Sequence, residues 1–249
     1  MKKFPIFVIL ILIVTAQIVF ADSVKECRKI LEQSFPKLKI ARVRPGPVPG
    51  LCEIWSGTNV FYFNPEKRLL FFGEIWTSDG KSLTRESQNL LLVERLRSLD
   101  LSRALKWGNG KTKVILVVDP DCPYCKVVEK VLLSPAYSST ITAYIFLYPL
   151  KIHPRAEEHS IAVLCSENPV ETLVAGNFSE IEVTDSCRRS ALQRLKAMKE
   201  EVAKLGVKGT PFIAVEDRII RGANLEEIFR TIAEKSGQKI PAKAQKSSS

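Results

Sequence analysis

Two cysteines separated by two residues, Cys122 and Cys125, stand just after an apolar β-branched run, Val114-Ile115-Leu116-Val117-Val118, and a proline-containing turn, Asp119-Pro120-Asp121. This pattern predicts a buried strand feeding a helix whose first turn holds a thiol pair. The chemistry would be thiol–disulfide exchange. At a helix N-terminus, unsatisfied backbone N–H groups and the positive end of the dipole favour thiolate over thiol, which makes Cys122 the expected nucleophile. Cys125, about one turn further along nearly the same face, is the expected resolving thiol, able to attack a mixed disulfide at Cys122. Pro123 suits a first helical turn, where its missing N–H leaves no bond unmade. Zinc is disfavoured because no second close pair completes four ligands, and a purely structural disulfide gains little by closing so short a loop. No metal and no cofactor are expected.

The elements that must position this pair follow from the rest of the chain. Met1-Lys2-Lys3 and the apolar stretch from Ile6 to Phe20, with Val19 and Ala21 before Asp22, read as a signal peptide over 1–21, an uncleaved membrane anchor being the alternative. Export to an oxidising compartment means that the other four cysteines should pair, in one of three ways. Cys27–Cys52 with Cys165–Cys187 is favoured, since each closes a loop within one region and either alternative ties the start of the chain to its second half. The net charge of +10 reads as a solvated basic surface; no nucleic-acid motif accompanies it, and no nucleic-acid partner is expected.

Residues 22–84 predict a small α+β domain. Val24, Cys27, Ile30, Leu31 and Phe35 fall at helical spacing before Pro36, and the stretch from Arg44 to Gly50 reads as a stiff extended loop. Strands are expected over 51–55, 60–63 and 69–75, separated by turn residues. Residues 85–106, leucine-rich and free of Gly and Pro, read as one linker helix, closed by the turn residues Trp107-Gly108-Asn109-Gly110. Residues 107–238 predict an α/β thioredoxin-like domain with a helical insertion: strand, redox helix, strand over 141–148, helices from about Pro154 to Leu205, a hairpin, and a closing helix. In Gly209-Thr210-Pro211, a proline at a strand's first residue would leave Thr210 backbone groups available to an extended substrate. Thr210 and Pro211, with Pro123 and Tyr124 between the cysteines, are the candidate substrate contacts. Residues 239–249 have too few apolar side chains to fold and read as a disordered tail.

Weaker signals surround the pair. Glu129 could take a proton from Cys125, although a solvated helix glutamate is the plainer reading. Carboxylates at Asp119 and Asp121 would oppose a nearby thiolate. His153 and His159 could serve a cysteine protease, but that reading leaves Cys125 and the Thr210-Pro211 segment unexplained.

Taken together, Cys122-Pro123-Tyr124-Cys125, the segment from Gly206 to Pro211, the Cys165 and Cys187 pair, and the preceding small domain resemble the DsbC/DsbG family of periplasmic disulfide isomerases. The resemblance covers nearly the whole mature chain. It implies a cystatin-like N-terminal dimerisation domain, a linker helix and a thioredoxin-like domain, assembled as a homodimer whose cleft receives misfolded or oxidised exported proteins. It further implies a cis bond before Pro211, a Cys165–Cys187 structural bridge, and a membrane thiol reductase of DsbD type as electron donor. Pro-Tyr between the cysteines matches the DsbG branch, whereas Gly-Tyr is usual in the DsbC branch, and Cys27 and Cys52 go beyond the family pattern. Besides isomerase, the same thiols would suit a reductase of sulfenylated cysteines or, less well, a dithiol oxidase. A chaperone-like binder of unfolded chains is the alternative without redox turnover.

Overall fold

The computed structural model describes residues 23–237. The signal peptide read over 1–21 and the tail read over 239–249 lie outside the described residues. Among the described residues, no helix is long and apolar enough to cross a membrane. The chain divides into two compact units, one ending at Leu92 and the other beginning at Val93.

In the first unit, helix α1 (23–34) lies against an antiparallel sheet of β1 (Arg42–Pro45), β2 (Cys52–Ser56), β3 (Asn59–Asn64) and β4 (Leu69–Phe71), in that order. The alternating pattern of the strands decides which side chains meet the helix. Val43, Cys52, Ile54, Phe61 and Phe63 form one core with Cys27 and Leu31 of α1. Trp55, Val60 and Tyr62 point to the other face and pack with Leu91 of α2 (Leu83–Arg97). Polar groups buried on that face are satisfied: Glu53 accepts from Trp55 Nε1 and from Ser87 Oγ, each at 2.7 Å, and the Tyr62 and Thr84 hydroxyls are 2.6 Å apart. A Cys27–Cys52 disulfide joins α1 to β2, with 6.8 Å between the Cα atoms.

The second unit has a five-stranded sheet ordered β5 (Leu105–Trp107), β7 (Ile141–Leu147), β6 (Thr112–Val118), β8 (Phe212–Val215), β9 (Arg218–Arg221). Only the β6–β7 pair is parallel. Val114 to Val118 are fully buried, as a central strand covered on both faces requires. Helix α3 (Pro123–Leu132) follows β6, and α4 (Ala156–Cys165), α5 (Pro169–Ala175) and α6 (Asp185–Leu205) form the insertion. Closing the unit is α7 (Leu225–Ser236). A Cys165–Cys187 disulfide links the end of α4 to the first turn of α6.

Three expectations need correction. The single helix read over 85–106 ends at Arg97. Asp100 stops it by accepting from Ser102 N–H at 3.1 Å, which starts a separate 3-10 turn over Leu101–Arg103, while the Asp100 N–H donates to Glu201. Leu105–Trp107 is then strand β5, held by pairing with β7 that no local pattern announces. Part of the stretch read as a loop from Arg44 is the edge strand β1, where Pro45 is tolerated opposite Cys52. The strand read over 69–75 stops at Phe71.

Gly108 and Gly110 follow strand β5 and end no helix. A Cβ at Gly108 (φ +75°) would lie 2.4 Å from Ile141 O, and one at Gly110 would lie 2.0 Å from Thr140 C. The backbone entering β6 thus passes directly over the start of β7, and neither position has room for a side chain. Gly110→Ala is expected to destabilise the chain by about 3 kcal/mol or more, read as a lower urea midpoint; an unchanged midpoint would contradict the close approach.

Candidate active site

Buried strand β6 delivers the chain to the turn from Asp119 to Cys122, and α3 leaves from it. Cys122 is the N-cap of α3, with non-helical φ −78° and ψ 118°, and Pro123 occupies the first turn. The Cys122 N–H donates to Asp119 O at 3.1 Å, and its carbonyl accepts from the Lys126 N–H at 3.2 Å. Both thiols are free; Cys122 is 4% exposed and Cys125 0%.

Across the sheet, the antiparallel register Val117↔Phe212 brings the residues before β8 beside this turn. Cys122 Sγ donates to Thr210 O at 3.5 Å, so in this dithiol form that carbonyl is engaged rather than free. The Thr210–Pro211 peptide is cis, and Thr210 Oγ1 is buried without a hydrogen-bond partner among the described residues. Cys122, Cys125, Thr210 and Pro211 are thus brought together, while Pro123 and Tyr124 lie exposed at the helix start, Tyr124 at 66%. Burial pushes the Cys125 thiol well above its ordinary range, reinforced by the neighbouring Cys122.

The reading of Glu129 as a solvated helix residue is overturned. Cys125, Val128, Glu129 and Leu132 form the buried face of α3, and Glu129 is fully inaccessible. Lys126 Nζ approaches Glu129 Oε2 to 3.3 Å without hydrogen-bond geometry, and among the described residues neither carboxyl oxygen has a hydrogen-bond partner. Burial raises the Glu129 carboxyl to about 7, with Lys126 opposing the rise.

Each histidine pairs through Nδ1 with a carboxylate of the turn before Cys122. His153 Nδ1 lies 2.9 Å from Asp119 Oδ2, and His159 Nδ1 lies 2.5 Å from Asp121 Oδ1. Sequence reasoning also missed the reach of the insertion back to α3. Lys126 donates to Leu173 O and lies 4.9 Å from the Phe178 ring centroid, and the other partner of that ring is His159, stacked at 4.5 Å. Leu173 and Phe178 lie about 50 residues downstream of α3 in chains of ordinary apolar composition, so nothing local marked them.

Glu129 makes stability depend on pH. Because its folded-state value is raised, the neutral form stabilises the fold below about pH 4.5, and that contribution is lost as pH rises to about 7. The loss should be on the order of 3 kcal/mol. Urea unfolding of wild type between pH 5 and pH 8 should therefore show falling stability that Glu129→Gln flattens; parallel profiles would refute the buried acid.

Residues 19–85 match the family described as "Disulfide bond isomerase protein N-terminal domain", and residues 100–236 match "Thioredoxin-like domain". A probable thiol:disulfide interchange protein DsbC of Bordetella avium is 31% identical over 207 residues, spanning 82% of this chain and 72% of that protein. Its namesake in Bordetella pertussis is 29% identical over 154 residues, 61% of this chain and 52% of that one. Among solved structures, the catalytic domain of Proteus mirabilis ScsC aligns with 60% of this chain and 99% of its own, at 21% identity and TM-score 0.45. With both domains matched in order and the Bordetella avium relative aligned across most of its length, the chain belongs to the DsbC family of thiol:disulfide interchange proteins.

Proposed function

We propose that the chain is a homodimeric disulfide isomerase of the periplasm that works from its reduced state on misfolded exported proteins. The observation that carries this reading is the asymmetry of the two thiols: Cys122 caps a helix beside the Thr210 carbonyl, and Cys125 lies buried one turn behind with its thiol pushed up. The Cys122 thiolate attacks one sulfur of a substrate disulfide, forming a mixed disulfide and releasing the other sulfur as a thiolate. A substrate thiolate then attacks the substrate sulfur, forming a new substrate disulfide and regenerating the Cys122 thiolate, with no net redox change. Resolution by Cys125 requires loss of a proton that burial holds in place, which lengthens the life of the mixed disulfide and favours reshuffling over reduction. Glu129, on the same buried face of α3, is the group to which we assign that proton when resolution does occur. Cys125 then displaces the substrate as a thiolate, leaving a Cys122–Cys125 disulfide for a membrane dithiol reductase of DsbD type to reduce.

Thr210 and Pro211 would align an extended substrate segment, and exposed Tyr124 and Pro123 would contact it. Dimerisation is supported by β4, an edge strand whose surroundings expose Leu69 (53%), Phe71 (47%) and Phe72 (75%). A second reading, favoured by the Pro123-Tyr124 dipeptide, is reduction of protein sulfenates. There Cys122 would condense with the sulfenic acid, releasing water, before Cys125 resolves the mixed disulfide.

Cys122→Ser is expected to abolish recovery of a scrambled multi-disulfide substrate, and Cys125→Ser to accumulate covalent adducts on non-reducing gels. Residual isomerisation by the first variant, or no trapped adduct with the second, overturns the assigned roles. Faster turnover of a protein sulfenate than of scrambled disulfides would put the second reading first. For the assembly, Phe72→Asp should weaken self-association by about tenfold or more, measured by light scattering; a monomeric wild type would remove the dimer from the proposal.

A further inference from the structure

The chain has two histidines, and the exchange described above uses neither. Both end on the turn that carries Cys122, but the two pairs differ. The Asp119 carboxylate is fully buried and accepts from the Asp121 N–H at 2.8 Å and the Leu150 N–H at 2.7 Å, besides its contact with His153. Its charge is well supported by backbone donors. Asp121, immediately before Cys122, instead meets His159, and both side chains are 20% exposed, so solvent protons reach the pair. The Phe178 ring, stacked on the imidazole, holds His159 in this place, and Lys126 lies against the same ring. Charged neighbours on α4 are engaged with α6: Glu157 with Lys199 at 3.5 Å and Glu158 with Arg188 at 2.7 Å.

We propose that His159 is a positioning residue for Cys122 that acts through Asp121: its imidazolium neutralises the carboxylate beside the nucleophile and so preserves the Cys122 thiolate. With a protonated His159 the pair carries no net charge. With a neutral imidazole it carries one negative charge on the residue preceding a sulfur that must itself become negative, and a like charge nearby disfavours a second.

The inference rests on Cys122 being the attacking thiol, and the test reads that thiol without any isomerase assay. In the full-length Cys125→Ser protein, iodoacetamide alkylation of Cys122 at pH 6 is followed by mass. His159→Gln is expected to slow it by about three- to tenfold, and His159→Phe, which keeps a ring for Phe178 to stack on, should slow it as much. In an Asp121→Asn background the same substitutions should change the rate by less than about twofold. Equal slowing in both backgrounds, no slowing in either, or full reactivity with phenylalanine would overturn the proposal. An intact alkylation cycle in a protein that fails to reshuffle disulfides would support the role of His159 while refuting the isomerase reading.

Discussion

The buried carboxylate of Asp119 is the constraint on which the active-site turn depends. It sits at the end of a strand buried on both faces, where an unpaired charge would be costly, and its oxygens are met by two backbone N–H groups and an imidazole. Those donors come from the turn itself and from the segment after β7. One ion therefore ties the entry of α3 to the chain leaving the neighbouring strand. The Asp119 carbonyl adds the bond to the Cys122 N–H, which sets the non-helical backbone that lets Cys122 cap the helix.

From that anchor the two thiols acquire different surroundings by geometry alone. A cap position faces the Thr210 carbonyl across the β6–β8 register, while a residue three positions on turns into the core beside Val128 and Leu132. The same periodicity carries Glu129 inward, where, among the described residues, only Lys126 approaches its carboxyl at ion-pair distance. Lys126 is fixed by the insertion, through Leu173 O and the Phe178 ring, so α5 and the turn after it are part of the support of α3. A helical insertion that looks peripheral in the chain order is thus packed against the charges nearest the cysteines.

The N-terminal unit shows a different economy. One sheet is covered on both faces, by α1 and by the first part of α2, and the period of two along β2 and β3 sorts Cys52, Ile54, Phe61 and Phe63 to one side and Trp55, Val60 and Tyr62 to the other. Glu53 can be buried among them because Trp55 and Ser87 both donate to it. A disulfide between α1 and β2 adds a covalent link to a core of modest size.

What the sequence by itself determined is what depends on near neighbours. The buried run at β6, the helix-compatible stretch after Pro123, the spacing of Cys122 and Cys125 within one turn, and the alternation along β2 and β3 are all local patterns, and they sufficed for the thioredoxin-like class and for the order of elements apart from β1 and β5. Tertiary structure alone decided the rest. Strand β5 exists because β7 lies beside it, Asp100 ends a helix that leucine spacing would have continued, and Gly108 and Gly110 are required by a backbone passing overhead. Likewise Glu129 is a buried acid because α3 turns that face to the core, and the histidines meet Asp119 and Asp121 because a segment some 30 to 40 residues away folds back onto the turn. Hydrophobic period and turn chemistry act over a few residues, whereas burial, charge pairing and steric exclusion are set by whichever distant segment arrives.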